Sequence, residues 1–339
     1  MLNSDEIDGL LVHGIMDTGF AKMLISIFQE VFKVSREEVE KRFTADLKNF
    51  LEMPGKFNKP IIASSFLGTE DHAIREFHEN GIPVFDSPES AARAMAVLYQ
   101  YHLIKKRRMD RISAENERIP EAAKEIMRKS SPESMDEYRA KAVLRAYGVA
   151  TCREQLAKTE DDAVSAAGEI GYPVVVKGCA PGLLHKTERQ MVHLNLADET
   201  MVRRACASIR EKMDRSSFLV MEMIKSQREF MAGMTRFEAF PPCILFGLGG
   251  IFTEVLGDFN TRLAPLGENE AIRQIRGIRS HRLIGAFRGE SSVNLQAMSS
   301  ILMQLGRIAL DFPDIREMDL NPILIDNGIP KVADALFVL

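Results

Sequence analysis

Over the first hundred residues, short unbroken apolar runs alternate with stretches of helical periodicity. Residues 9–12, 60–66 and 83–85 are too short for helices and too continuously apolar for half-exposed strands, so they read as buried strands. Between the first two, Met23, Leu24, Ile27, Phe28 and Val31 recur at helical spacing. A further helix carries Ile74 and Phe77 and stops near Asn80-Gly81. Another opens at Ser87-Pro88-Glu89-Ser90, with Ser87 as N-cap, Pro88 at N1 and Ser90 at N3, and continues through Ala92, Met95, Ala96 and Leu98. Strands separated by helices predict a parallel sheet with right-handed crossovers.

Three strands are few for a free-standing doubly wound layer. Residues 1–104 therefore read as the back half of a flavodoxin-like sheet. Residues 105–134 are charged and contain Pro120 and Ser131-Pro132, which predicts a linker. A second domain, residues 135–339, begins with a helix that ends at Tyr147-Gly148.

The 339 residues are about two domains' worth, and 45% hydrophobic with 27% charged residues is an ordinary globular balance. A net charge of −4 gives no electrostatic case for a nucleic-acid partner. The basic cluster Lys105, Lys106, Arg107, Arg108 and Arg111 lies in the polar connection and reads as a solvated face. Cys152, Cys179, Cys206 and Cys243 have no paired spacing, so they predict reduced thiols in a cytoplasm. No apolar run reaches about 18 residues and the N-terminus has no signal-peptide pattern, which predicts a soluble protein without a membrane partner.

The chemistry concentrates in the second domain. Gly171-Tyr172-Pro173-Val174-Val175-Val176-Lys177 is a β-branched strand ending in a lysine. Burying that ammonium is costly unless an anion such as a nucleotide phosphate meets it; the alternative is a lysine that snorkels to the surface. Directly after it, Pro181-Gly182-Leu183-Leu184-His185-Lys186-Thr187-Glu188 places a histidine, a side chain able to accept a phosphoryl group, in a turn-rich stretch. The alternative is a loop histidine without a role. A third cluster runs from Glu317 to Gly328. Period-two alternation puts Glu317, Asp319 and Asn321 on one strand face, and Asn327-Gly328 signals a type I′ hairpin. In that register Asp326 pairs with Ile329, and Asn321 falls opposite Asp334. An amide oxygen and a carboxylate about 5 Å apart at Cβ suit Mg²⁺, which keeps waters and phosphates as its other ligands. The alternatives are a polar face in water, or a register shifted by Pro330. An apolar strand runs into the glycine-rich turn at Gly247, Gly249 and Gly250, where a backbone can approach phosphate closely. Glu222 sits at the end of another strand, with Glu229 seven residues on.

These blocks resemble the ATP-grasp portion of ADP-forming acyl-CoA (acetyl-CoA) synthetases, relatives of succinyl-CoA synthetase. The resemblance rests on AYGV (146–149), GYPVVVK ending at Lys177, LLHKTE around His185 and REFMAGMTR (228–236). It continues through LFGLGGIFTEVL (245–256), RLAPL (262–266) and MDLNPILI (318–325). IIASSF (61–66) and GIPVFDSPESAARAM (81–95) resemble the end of the adjoining flavodoxin-like ligase domain. The resemblance implies an ATP-grasp domain of two subdomains that takes ATP/ADP and Mg²⁺ and moves a phosphoryl group through histidine. It places Lys177 on the phosphates, Glu222 at the adenine strand, Glu229 on adenosine, Gly249 and Gly250 at the nucleotide, Asn321 and Asp334 on Mg²⁺, and His185 as phosphoryl acceptor. Where the family carries glycines after the histidine-lysine pair, this chain has Arg189-Gln190-Met191. The family's CoA-binding domain and the domain bearing its other phosphohistidine have no counterpart in the sequence. The expectation is a hetero- or homo-oligomer with a CoA-binding subunit that carries the second phosphohistidine. The alternative is a catalytically incomplete nucleotide-binding module or a truncated remnant.

Overall fold

The computed structural model describes residues 2–15, 18–33, 35–65, 72–106, 118–130, 134–180, 191–213, 217–250 and 256–339. The chain divides into two compact units, Met1–Arg108 and Met109–Leu339.

In the first unit, β1 (Leu10–Ile15), β2 (Ile61–Ser65) and β3 (Val84–Phe85) form a parallel sheet in the order β1-β2-β3. Helices α1 (Thr18–Phe32), α2 (Arg36–Leu51), α3 (Met53–Phe57), α4 (His72–Glu79) and α5 (Pro88–Lys106) connect and follow the strands. All five residues of β2 are buried, as an unbroken apolar run in a parallel sheet requires. Ser87 caps α5 as expected, its Oγ accepting the backbone N–H of Ser90 at 3.2 Å. The apolar reading had missed α2, which is polar overall. Its start is set by Ser35, whose hydroxyl accepts the backbone N–H of Glu38, with Glu37 and Glu38 in the first turn.

The second unit holds α6 (Glu121–Arg128), β4 (Ser134–Met135), α7 (Glu137–Ala146), β5 (Glu154–Ala157), α8 (Glu160–Ile170) and β6 (Val174–Cys179). Next come β7 (Val192–Leu196), α9 (Glu199–Lys212), β8 (Ser217–Glu222), β9 (Glu229–Thr235), β10 (Cys243–Leu248) and β11 (Phe259–Leu263). The order closes with α10 (Glu268–Arg276), α11 (Leu295–Asp311), β12 (Glu317–Asp326), β13 (Ile329–Val332) and β14 (Leu336–Val338). Helix α6 lies inside the stretch expected to link the domains, and its Ala123 is fully buried in the main core.

The strands of this unit form two antiparallel sheets. One has four strands in the order β5-β8-β6-β7. The other has seven, in the order β11-β10-β9-β12-β14-β4, with β13 paired to β12. Helices α8 and α9 cover the smaller sheet with Ala163, Ala167, Val202, Cys206 and Ile209, all fully buried. The capping box between Thr159 and Asp162 fixes the start of α8. Every residue of β6 is buried, because its second face meets the larger sheet: Val175, Met221 and Cys152 pack against Ala333. In the larger sheet, α11 buries Met298, Leu302, Leu305 and Ile308, each worth roughly 1.5–3 kcal/mol, over stacked Phe230 and Phe246.

The predicted hairpin is present. Asp326 pairs with Ile329, and Asn327 and Gly328 adopt φ of 48° and 87°, the two left-handed positions of a type I′ turn. Pro330 does not shift the register, since Ile325 pairs with Pro330 and Ile323 with Val332. The β12–β14 ladder keeps the same count, Asp319 opposite Leu336. Asn321 and Asp334 therefore face each other in the gap between the two ladders.

Candidate functional site

Lys177 on β6 does not snorkel. It is 5% exposed, and its ammonium donates to Glu137 Oε1 at 2.9 Å, the Ala333 carbonyl at 2.9 Å and Asp334 Oδ2 at 3.1 Å. The anions that meet it are carboxylates of α7 and of the segment after the hairpin. Burial pulls this ammonium toward neutrality, but Asp334 and Glu137 outweigh it and hold the pKa above the ordinary lysine value.

Behind Lys177 lies a second buried lysine that the sequence reading had not singled out. Lys141 is fully buried and sits 2.7 Å from Glu137 Oε1 and 2.5 Å from Glu154 Oε2. The second contact is a charge contact without hydrogen-bond geometry. Lys141 also donates to the Ala333 carbonyl at 3.1 Å, and Arg145 pairs with Glu154 at 2.7 Å. Three cations and three carboxylates thus tie α7, β5, β6 and residues 333–334 together. The sequence signal was Lys141 four residues after Glu137, a spacing that usually marks a solvated helix face.

Glu222 ends β8, where the chain leaves the smaller sheet. Its carboxylate accepts from Arg153 Nε at 2.9 Å, from the Arg153 backbone N–H at 2.9 Å and from Lys331 Nζ at 3.1 Å. Burial alone would raise its pKa, but these donors outweigh it and hold the carboxyl below the usual range. Beside it opens a cavity of about 410 Å³ lined by residues 222–225, 289–291 and 325–328 with Pro173 and Arg228. The walls come from both sheets.

Glu229 begins β9 and does not line that cavity. Burial pushes its pKa up. Gly249 and Gly250 press against it: the Gly249 N–H donates to the Glu229 carbonyl at 2.8 Å, and a Cβ on Gly250, at φ +75°, would collide with the Glu229 carboxylate. The Gly250 N–H also donates to Asn321 Oδ1 at 3.2 Å. The structure therefore brings Glu229, Gly249, Gly250 and Asn321 into one cluster, and Lys177 and Asp334 into another. The register of β12 joins the two. His185 lies outside the described residues.

Asn321 and Asp334 fit Mg²⁺ as donors, since both are hard oxygen ligands and the Asp334 carboxylate already faces a cation, the Lys177 ammonium. Among the described residues there is no group of three or more His, Cys, Asp or Glu placed to hold a metal. A site built on these two residues thus leaves its other positions to water and substrate oxygens, the habit of Mg²⁺.

Asp319 lies two residues before Asn321 on the same strand face. Burial, then the charges of Asp334 and Glu317, push its carboxyl up to about 6. Between about pH 4 and pH 6 the folded chain holds a proton that the unfolded chain has lost, so stability falls as pH rises through that window. In EDTA, Asp319→Asn is expected to stabilise the chain by on the order of 2 kcal/mol at pH 7, with the gain vanishing toward pH 4. Urea melts at the two pH values check this. An equal gain at both would remove the titration as its cause.

Residues 126–339 match the ATP-grasp domain family. The β subunit of acetate–CoA ligase (ADP-forming) I from Pyrococcus furiosus is 34% identical over 226 residues, which cover 64% of this chain and 97% of the relative. The acetate–CoA ligase (ADP-forming) I of Archaeoglobus fulgidus is 32% identical over 286 residues, 81% of this chain but 42% of that longer relative. Among solved structures, acetyl-coenzyme A synthetase 1 of Ca. Korarchaeum cryptofilum in complex with coenzyme A and Mg-AMPPCP superposes with a TM-score of 0.57 at 33% identity. That match covers 64% of this chain and 99% of the other. No helix among the described residues is long and apolar enough to cross a membrane.

Proposed function

The chain belongs to the ATP-grasp family, in its ADP-forming acyl-CoA synthetase branch, and from that premise we propose how its own residues handle the nucleotide. ATP enters with its base and ribose in the cavity beside residues 222–225. Its γ-phosphoryl group passes to His185: an imidazole nitrogen attacks phosphorus, the β–γ bridging P–O bond breaks, and ADP leaves. In company with a CoA-binding subunit that carries a second histidine, this is half of the conversion of an acid, CoA and ATP to acyl-CoA, ADP and phosphate.

The observation that carries the reading is the Lys177–Asp334 contact. A buried ammonium and a carboxylate opposite an asparagine amide lie on facing elements of the two sheets. This is the pairing of charges that a metal-bound triphosphate needs. Asn321 and Asp334 would hold Mg²⁺, which supplies positive charge to the phosphate oxygens. Lys177 adds a fixed cation on the opposite side. Catalysis of this kind is mostly positioning and electrostatics, and a dry, preorganised cation is its main instrument. Glu229 is held by Gly249 and Gly250 at the end of β9, placed to orient the nucleoside.

The test is transfer of label from [γ-³²P]ATP to the full chain in Mg²⁺. The bond should be acid-labile and stable in alkali, and His185→Asn should lose it. A chain that binds ATP but takes up no label, even with a CoA-binding subunit added, would leave only a nucleotide-binding module. Met191, the first described residue after His185, lends that second reading some support. It is buried against Gly178, and its carbonyl accepts the Gly178 N–H at 3.0 Å, so the segment is anchored at that end.

A further inference from the structure

Arg228 is the largest fully buried side chain of the described residues, at 2% exposure, and neither the phosphate cluster nor the hairpin needs it. It precedes β9 and points away from the Lys177 site. Its Nε donates to Glu290 Oε2 at 2.7 Å, Nη1 to the carbonyls of Leu283 at 3.0 Å and Gly285 at 2.9 Å, and Nη2 to the carbonyl of Ser291 at 2.5 Å. Glu290 Oε1 in turn accepts the backbone N–H of Gln227 at 2.9 Å. One guanidinium and one carboxylate thus fasten residues 283–291 to the start of β9.

The fastened segment is a tight turn. Phe287 and Glu290 exchange both backbone hydrogen bonds, 3.1 and 2.9 Å, around Arg288 and Gly289 at φ of 47° and 86°. It leans on the tip of the β12–β13 hairpin, where the Asn294 N–H donates to the Gly328 carbonyl at 2.8 Å. A Cβ on Gly328 would meet the Ser292 carbonyl at 2.7 Å. Gly289, Glu290 and Ser291 form one wall of the cavity opposite residues 222–225. That turn has little else to hold it. Phe287 is 37% exposed, and the turn has no apolar anchor in the main core.

We propose that Arg228 is a positioning residue for nucleotide binding, acting through Glu290 to hold the 287–290 turn as the fixed wall of the base cavity. The proposal rests on the nucleotide reading above and adds a part to it. A buried arginine that spans three carbonyls and a carboxylate cannot be replaced by lysine, whose point charge lacks the planar fork. Holding the wall before ligand arrives spares the ordering of that segment at binding, the usual gain from preorganisation. The pair is also self-neutralised, so the wall offers backbone and apolar surface to an incoming base.

The experiment is ATP binding by calorimetry on the full chain, with amide hydrogen exchange of residues 285–292 and thermal melts, for wild type, Glu290→Gln and Arg228→Lys. Loss of one charge-assisted bond corresponds to about a tenfold rise in Kd. That rise is expected for Glu290→Gln, together with faster exchange at 285–292 and a nearly unchanged melt. Arg228→Lys should weaken binding at least as much. If it fails to fold, Glu290→Gln alone decides. Wild-type affinity in Glu290→Gln despite a loosened turn would overturn the proposal, as would weaker binding without faster exchange. A wild-type chain that does not bind ATP would overturn the nucleotide reading and this one with it. Binding by wild type matched by both variants would overturn this one alone.

Discussion

Lys141→Met is expected to cost the fold roughly 3–5 kcal/mol, the usual result of breaking a buried ion pair by removing one partner. Lys141 is fully buried, and the side chains of Glu137 and Glu154 are 0% and 2% exposed. Without it, two cations face three carboxylates, and the charge contact at Glu154 Oε2 disappears. Methionine fills the volume, so the loss is electrostatic and not a cavity effect. For a unit of this size the melting temperature should drop by on the order of 10 °C. Changing Glu154→Leu together with Lys141→Met should recover much of the loss, because an apolar pair of similar volume needs no compensation. A single variant within about 1 kcal/mol of wild type would show that water reaches this cluster and screens it.

The second large effect is expected on chemistry. Lys177→Met should slow capture of the γ-phosphoryl by His185 at least about a hundredfold, the scale set by deleting one preorganised electrostatic group. Single-turnover labelling with [γ-³²P]ATP measures it. The same substitution should alter metal affinity with opposite signs in two conditions. In the free chain Lys177 lies 3.1 Å from Asp334 and competes with any cation there, so Mn²⁺ binding without nucleotide should tighten in the variant. With ATP present it should loosen, because Lys177 no longer helps hold the phosphates that complete the coordination. The two ligands are then coupled, and the coupling is reciprocal. Looser Mn²⁺ binding in both conditions would show that Lys177 does not stand where the metal goes.

Much of this was readable in advance where a local rule acted alone. Asn327-Gly328 fixed the hairpin, and counting back along period-two strands placed Asn321 opposite Asp334, because turn type and register leave little freedom. The apolar run before Lys177 identified a strand covered on both faces. The partners of Lys177 were not readable. Glu137 is 40 residues away and Asp334 157, and no local pattern links them. Arg228 and Lys141 escaped for the same reason: a charged residue beside a strand or on a helix reads as solvated until distant carbonyls are seen to surround it. Helix α2 was missed because its mean character is polar, so its cap and not its periodicity was the signal.

The two sheets of the second unit meet through a seam of only four buried apolar residues, Cys152, Val175, Met221 and Ala333. Each sheet has a far larger core of its own. Parting the seam therefore exposes little apolar surface, whereas disrupting either layer exposes much. The unit behaves as two stiff jaws on a soft hinge, and solution scattering of the unliganded chain should record a breadth of gape that closes when a ligand bridges the teeth.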